Sequence, residues 1–322
     1  MINAIVRQSA GPVCRLHAIS LAATLVVALP LGFAHAQGFS RKSVGVSTDS
    51  TRSAPILADS LFGRSGKLRF RTVTNSRPLA IPILERLFGE EIRENPGIYA
   101  LGDSSGRRTF SLISLLPFAR KEGSHVGGYR VGFWPAEKRE PRSDAYLNPD
   151  GFITVTEENQ DLKVSEHFRL RDFLTHDQEN VWPKYLVLRE ELIDKLELVM
   201  DDLEAHGHPV RHVRVMSGFR TPSYNLLGVG PRRGGRALDS RHQFGDAADI
   251  MIDNNGDGRQ DDLNGDGKSN SRDIKVILDA VDRVERAYPE LVGGAGLYRA
   301  GRQHGPFAHI DVRGNRARWT RG

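Results

Sequence analysis

The chain has one cysteine, Cys14, in 322 residues, and this scarcity removes several chemistries at once. A lone thiol forms no intrachain disulfide, and Cys14 stands in a stretch that reads as a cleavable leader, so the mature chain is expected to hold no cysteine. Thiolate metal sites and a cysteine nucleophile are thereby excluded, which leaves His, Asp and Glu as metal ligands. Long apolar runs are equally scarce. Residues 18–33 form one, too short and proline-broken for a bilayer span, and nothing later approaches the ~20 apolar residues a span needs. Aromatic residues make up only 7% of the chain, and no basic motif has aromatics interleaved, so nucleic acid is not an expected partner.

What is present suits a globular protein with room for two domains, at 39% hydrophobic and 26% charged residues. Arg7 and Arg15 precede the apolar run, which ends in Ala34-His35-Ala36; residues 1–36 therefore read as a signal peptide cut before Gln37. An exported, periplasmic protein without a membrane span is expected. Net charge is +5, or +3 without Arg7 and Arg15, and the chain closes on the basic tail RGNRARWTRG. Positive charge spread in this way fits an anionic polymer such as a cell wall.

Residues 37–60, rich in Ser, Arg and Gly at their start, read as a flexible linker. Residues 61–160 read as a small β-rich module, with strand signals in KLRFRTV, GGYRVGFW and GFITVT and one helix signal in IPILERLFGEEI. Its aromatic residues Tyr129, Phe133 and Trp134 fit core or turn positions, with a ligand platform as the less expected reading. From residue 161 to 322 the signals mix. Leu188, Leu192, Leu196, Val199 and Leu203 predict an amphipathic helix over 185–206, stopped by Gly207. HVRVM, AADIMI and AHIDV predict strands, and a second helix is expected over 271–288. With no regular βαβ repeat, the expected class is α+β: a small antiparallel sheet with flanking helices, preceded by the β-rich module.

The stretch SRHQFGDAADI, residues 240–250, carries the strongest chemical signal. Gly245 and the β-favouring DIMI argue for a loop and then a strand, with His242 on the loop and Asp249 at the strand start. Alternation puts Asp249 and Met251 on one face and Ala248 and Ile250 on the other, while the small Ala247 leaves room. Taken alone, such a pair is either a metal site or a chance loop pair. Catalytic zinc needs a third protein ligand and an open position. HID supplies the third: His309, with Asp311 two residues on and facing the same way. His206, His208, His212 and His304 read as ordinary polar histidines.

SGFRTPSYN, SRHQFGDAADI and HIDVRG occur in the order found in the zinc peptidases of the D-Ala-D-Ala peptidase and hedgehog-like superfamily, which this chain resembles over about residues 164–319. The closest form is the periplasmic murein peptidase branch, whose motifs read S-x-H-x-x-G-x-A-x-D and H-[IV]-D. The resemblance implies hydrolysis of peptide bonds in peptidoglycan stems or cross-links, by endopeptidase or carboxypeptidase action, with one zinc on His242, Asp249 and His309. It also implies that Arg220 faces the substrate carbonyl or carboxylate, where its planar fork suits an oxyanion, and that Ser240 lies on the substrate side. Arg220 otherwise reads as a turn-stabilising arginine and Ser240 as a loop cap. The chain departs from the family at the general base: positions three and two before His309 hold Pro306 and Phe307. Asp311 and His304 are the candidates, and Asp311 reads equally well as a carboxylate that orients a liganding imidazole. With no assigned base, a non-catalytic zinc-containing wall-binding or signalling module is the alternative.

A second metal signal occupies residues 253–273. From Asp262 the pattern D-x-N-x-D-G-x-x-N-x-x-D resembles an EF-hand or dockerin calcium loop. Asp262, Asn264, Asp266, Asn270 and Asp273 offer side-chain oxygens and Lys268 a carbonyl, while Gly267 permits the sharp turn. Asp253, Asn255, Asp257 and Asp261 begin an overlapping pattern, so two independent twelve-residue loops cannot form and shared carboxylates or a single ion are expected. A structural calcium is expected, bracing the strand that carries Asp249.

Overall fold

Leu192, Leu196, Val199 and Leu203 recur at helical spacing, and in the computed structural model of the chain they line the buried side of helix α1, Glu190–Ala205. The structure describes residues 5–8, 61–74, 90–102, 108–231, 233–301 and 304–321. Helix α1 starts later than the leucine spacing suggests, because Lys184–Leu186 is a strand and Leu188 lies in the connection between the two. Helix α2, Pro222–Leu227, starts at Thr221, whose hydroxyl accepts the Tyr224 N–H. Helix α3, Ser271–Ala287, buries Ile274, Ile277, Ala280, Val281 and Val284. No helix among the described residues is long and apolar enough to cross a membrane.

The class is α+β. A first sheet, in spatial order β1, β3, β4, β2, comprises β1 (Ile5–Gln8), β2 (Phe70–Val73), β3 (Gly97–Gly102) and β4 (Arg108–Ser114). Strand β1 falls within the stretch read as a leader; the rest of that stretch, the linker and most of the helix expected over 81–92 lie outside the described residues. A three-stranded sheet pairs β5 (Leu116–Pro117), β8 (Gly151–Val155) and β9 (Lys184–Leu186). GGYRVGFW yields only β7 (Tyr129–Arg130), the partner of β6 (His125–Val126). Tyr129 and Trp134 are fully buried, as core residues should be, and Phe133 is exposed between the ammonium groups of Lys121 and Lys138.

The third sheet carries the candidate metal ligands Asp249 and His309. Its five strands run β10 (Val213–Ser217), β11 (Ala247–Ile252), β13 (Phe307–Asp311), β12 (Gly294–Tyr298), β14 (Ala317–Arg321). Pairing is antiparallel except for the parallel β12–β14 edge. One face presents Ala248, Ile250, Ile252, Ala295, Ala308 and Ile310 to the core, where α3 packs on β12 and β13 and α1 packs on α3. Each large aliphatic side chain buried here contributes about 1.5–3 kcal/mol. Phe70, Ile98, Ile113, Trp134 and Phe152 belong to the same apolar cluster as α1, α3 and this sheet, so the β-rich stretch shares one core with the C-terminal half of the chain. Val73, Ile92, Leu101, Phe110 and Leu112 form a small satellite. The opposite face of the third sheet carries Asp249, His309 and Asp311 among Met251, Phe307 and Trp319.

Candidate metal centre

Strand register alone draws a line of residues across that face. Ser217 pairs with Asp249, Asp249 with His309, His309 with Gly296, and Gly296 with Trp319. Asp249 and His309 are therefore directly opposed on neighbouring strands, with side chains on one face. His242 arrives from outside the sheet, on a 3-10 turn over Arg241–Phe244 that ends at Gly245. Glycine is required there: φ is +67°, and a Cβ would lie 2.3 Å from the Val187 carbonyl oxygen.

The β-rich stretch holds this turn in place. Trp134 Nε1 donates to the Gln243 carbonyl at 2.7 Å, and Arg241 Nη1 donates to the Ala145 carbonyl at 2.7 Å. Arg241 pairs with the buried Asp246 and stacks between the Tyr146 and Phe244 rings, at 4.8 and 4.5 Å. Nothing in the sequence pattern tied residues 134–146 to the site; a tryptophan and a cation reaching across the chain leave no local periodicity.

Three atoms converge as a result. His242 Nε2 lies 3.2 Å from His309 Nδ1 and 3.3 Å from Asp249 Oδ1, and His309 Nδ1 lies 2.9 Å from Asp249 Oδ1. Ligand atoms bound tetrahedrally at zinc distances stand about 3.3 Å apart, so this triangle matches one face of such a tetrahedron. All three residues are buried, and among the described residues they are the group of His, Cys, Asp and Glu whose ligand atoms gather within 4.8 Å. A metal ion fits the donor set.

Each ligand is oriented from behind. His242 Nδ1 donates to the Gly218 carbonyl at 2.7 Å, which turns Nε2 toward the centre. His309 Nε2 donates to Asp311 Oδ2 at 3.0 Å, which turns Nδ1 toward the centre. Asp249 presents Oδ1 to the trio and gives Oδ2 to Arg220 Nη2 at 2.6 Å, while Arg220 Nε donates to Ser217 Oγ at 2.7 Å. Burial and then the Arg220 charge lower the His242 pKa to about 4, so that imidazole is neutral and ready to ligate. For His309 burial acts downward, but hydrogen bonds to Asp249 and Asp311 outweigh it and raise its pKa. Asp249 and Asp311 are also buried, yet His242 and Arg220 around the first, and His309 and Arg313 around the second, hold both well below the usual carboxylate range.

Of the two roles read for Asp311, its contacts match the one in which it orients His309. Oδ1 accepts from the amides of Gly294 and Arg313 and from Arg313 Nε, and Oδ2 accepts from His309 and Arg313. It stands behind His309, fully buried. Ser240 occupies the N-cap position of the His242 turn but makes no side-chain cap bond. His304 lines a groove of about 370 Å³ with Arg214, Met216, Met251 and Arg259. Met251 is two residues from Asp249 on the same face, so the groove lies beside the trio.

Trp319 completes the centre from the far edge. Because Gly296 has no side chain, the indole crosses it to reach His309, with ring centroids 5.1 Å apart; a Cβ on Gly296 would lie 2.3 Å from the indole. Trp319 Nε1 in turn donates to the Tyr298 hydroxyl at 3.3 Å. Sequence reading missed Trp319, Tyr298, Gly218 and Ser217 as site residues, although the last two lie within the SGFR motif.

In the acidic loop, Asp262 accepts the amides of Gly265, Asp266 and Gly267, and Asn264 accepts that of Asp266. Asp266 accepts the Lys268 amide and pairs with Arg272. Asn270 and Asp273 form the two halves of a capping box at the start of α3, and Asp273 also accepts the Leu263 and Asn264 amides. A scan against protein-family models finds no match to the chain, and searches of curated proteins and of solved structures find none either.

Proposed function

We propose that the chain is an exported zinc peptidase of the D-Ala-D-Ala peptidase and hedgehog-like superfamily that hydrolyses peptide bonds in peptidoglycan stems or cross-links. The observation that carries this reading is the buried trio of His242, Asp249 and His309, with Arg220 tied to the second oxygen of the aspartate. Two imidazoles and one carboxylate are a donor set that catalytic zinc uses, and zinc is the metal this reading assigns. Zinc in such a set supplies Lewis acidity toward a carbonyl and makes water a competent nucleophile near neutral pH.

The chain's own residues supply the rest. Arg220 engages its Nε and Nη2 on Ser217 and Asp249, which leaves Nη1 to hydrogen-bond a developing oxyanion or a substrate carboxylate. Ser240, whose hydroxyl makes no cap bond, is the residue this reading assigns to the peptide. Arg214 and Arg259 line the groove, and their charge suits the carboxylates of wall peptides. With both oxygens of Asp311 engaged by His309, Gly294 and Arg313, His304 is the candidate this reading favours to accept the proton. The loop at 253–273 holds calcium through Asp262, Asn264, Asp266, the Lys268 carbonyl, Asn270 and Asp273, and braces the strand bearing Asp249.

One observation favours a second reading, a zinc-stabilised wall-binding module: Pro306 and Phe307 stand where the resembled enzymes place their base. Mass spectrometry of purified peptidoglycan incubated with the zinc-loaded mature protein, or with His242→Ala, separates the two. New muropeptides from the first alone support the peptidase and name the bond. Zinc bound and wall retained with no products from either supports the binding module.

A further inference from the structure

Residues 253–261 and 262–270 are two copies of one nine-residue pattern, DNNGDGRQD and then DLNGDGKSN. The backbone repeats with the sequence. Gly258 N–H donates to Asp253 Oδ2 at 3.0 Å, as Gly267 N–H does to Asp262 Oδ2 at 2.6 Å. Asp257 N–H donates to Asn255 Oδ1 at 3.0 Å, as Asp266 N–H does to Asn264 Oδ1 at 2.9 Å.

The copies differ at their first carboxylate. Asp262 Oδ1 is satisfied by the amides of Gly265 and Asp266, at 2.8 and 3.2 Å. Asp253 Oδ1 has no hydrogen-bond donor, in a residue only 1% exposed. A carboxylate oxygen removed from water calls for a donor or a cation. Because its sister oxygen is held by Gly258 N–H, the carboxylate faces the inside of the 253–258 turn. Asp261 folds back to the same place, its Oδ2 accepting the Asn254 N–H at 2.8 Å.

We infer that residues 253–261 form a site for a hard divalent cation of the calcium class, separate from the 262–273 loop. Asp253, Asn255, Asp257 and Asp261 supply side-chain oxygens and Arg259 a carbonyl. The carboxylates of this turn are not gathered within 4.8 Å as the histidine trio is, so the set draws on amide and carbonyl oxygens, as calcium loops of this spacing do. The cation also has a consequence for the groove. Arg259, whose carbonyl it binds, places its side chain in the groove wall with Arg214 and His304, so filling the site fixes that wall.

The test is calorimetric titration of calcium into the zinc-loaded mature chain, and it does not depend on peptidase activity. The expected result is two calcium ions per chain, with Asp257→Asn removing one, or weakening it about tenfold or more, and Asp266→Asn removing the other. Asp257 is exposed, so its variant should fold. A single ion lost in Asp257→Asn and kept in Asp266→Asn also supports the site. No calcium bound, a single ion indifferent to Asp257→Asn, or two ions unchanged in that variant overturns it.

Discussion

Replacing Asp311 by asparagine should weaken zinc binding about 10–100-fold, or about 1.4–2.7 kcal/mol, without touching a ligand. The carboxylate accepts on both oxygens: Oδ1 from the backbone amides of Gly294 and Arg313 and from Arg313 Nε, Oδ2 from His309 Nε2 and from Arg313 Nε and Nη2. Asparagine has one acceptor oxygen and one NH2. The oxygen is best kept on the side of the two backbone amides, which cannot turn away as a side chain can, and this turns the NH2 toward His309. To avoid two opposed N–H groups, His309 must then accept at Nε2 and carry its proton on Nδ1, where Asp249 Oδ1 waits at 2.9 Å. That is the atom required for the metal, so binding has to reverse the tautomer. Competition with a chromophoric chelator at fixed pH measures the affinity, and circular dichroism confirms folding. A folded Asp311→Asn variant that binds zinc within a factor of about two of the parent would refute the orienting role.

Zinc affinity should also report one proton and not two. His309 has a raised pKa in the metal-free centre, so its proton must leave on binding, while His242, lowered to about 4, has none to lose above that value. Calorimetric Kd values between about pH 5 and 6.5 should therefore weaken about tenfold per unit of acidification, and a hundredfold slope would contradict the assignment. Arg220→Lys keeps the charge but loses the fork shared by Ser217 and Asp249; muropeptide release should fall about 10²–10³-fold with zinc still bound, and unchanged release would exclude Arg220 from the chemistry. Gly296→Ala pushes a methyl into the Trp319 indole and should lower stability by about 1–3 kcal/mol in a denaturant melt, with a shift in tryptophan emission. Trp134→Phe leaves the buried Gln243 carbonyl without its donor, at about 1–3 kcal/mol of stability, and should loosen zinc if the His242 turn depends on it.

The chemistry of the centre was legible because it is local. His242 and Asp249 lie seven residues apart with a glycine and small residues between, and period-two alternation in AADIMI and FAHID sets which side chains share one face. The α+β class came from the same patterns, as did the two amphipathic helices. The start of α1 escapes the pattern because the leucine spacing runs on through Leu188, where the backbone is still leaving a strand.

Composition, alternation and spacing thus determined which residues can ligate and which face they take. Only the tertiary structure decided what each one does there. Strand register set Asp249 against His309 and let Trp319 cross Gly296. Packing at Gly294 and Arg313 engaged both oxygens of Asp311 behind His309. Residues 134–146, about a hundred positions from His242, became the prop of its turn, because hydrogen bonds and ring stacking act on distance in space, which a linear pattern does not record.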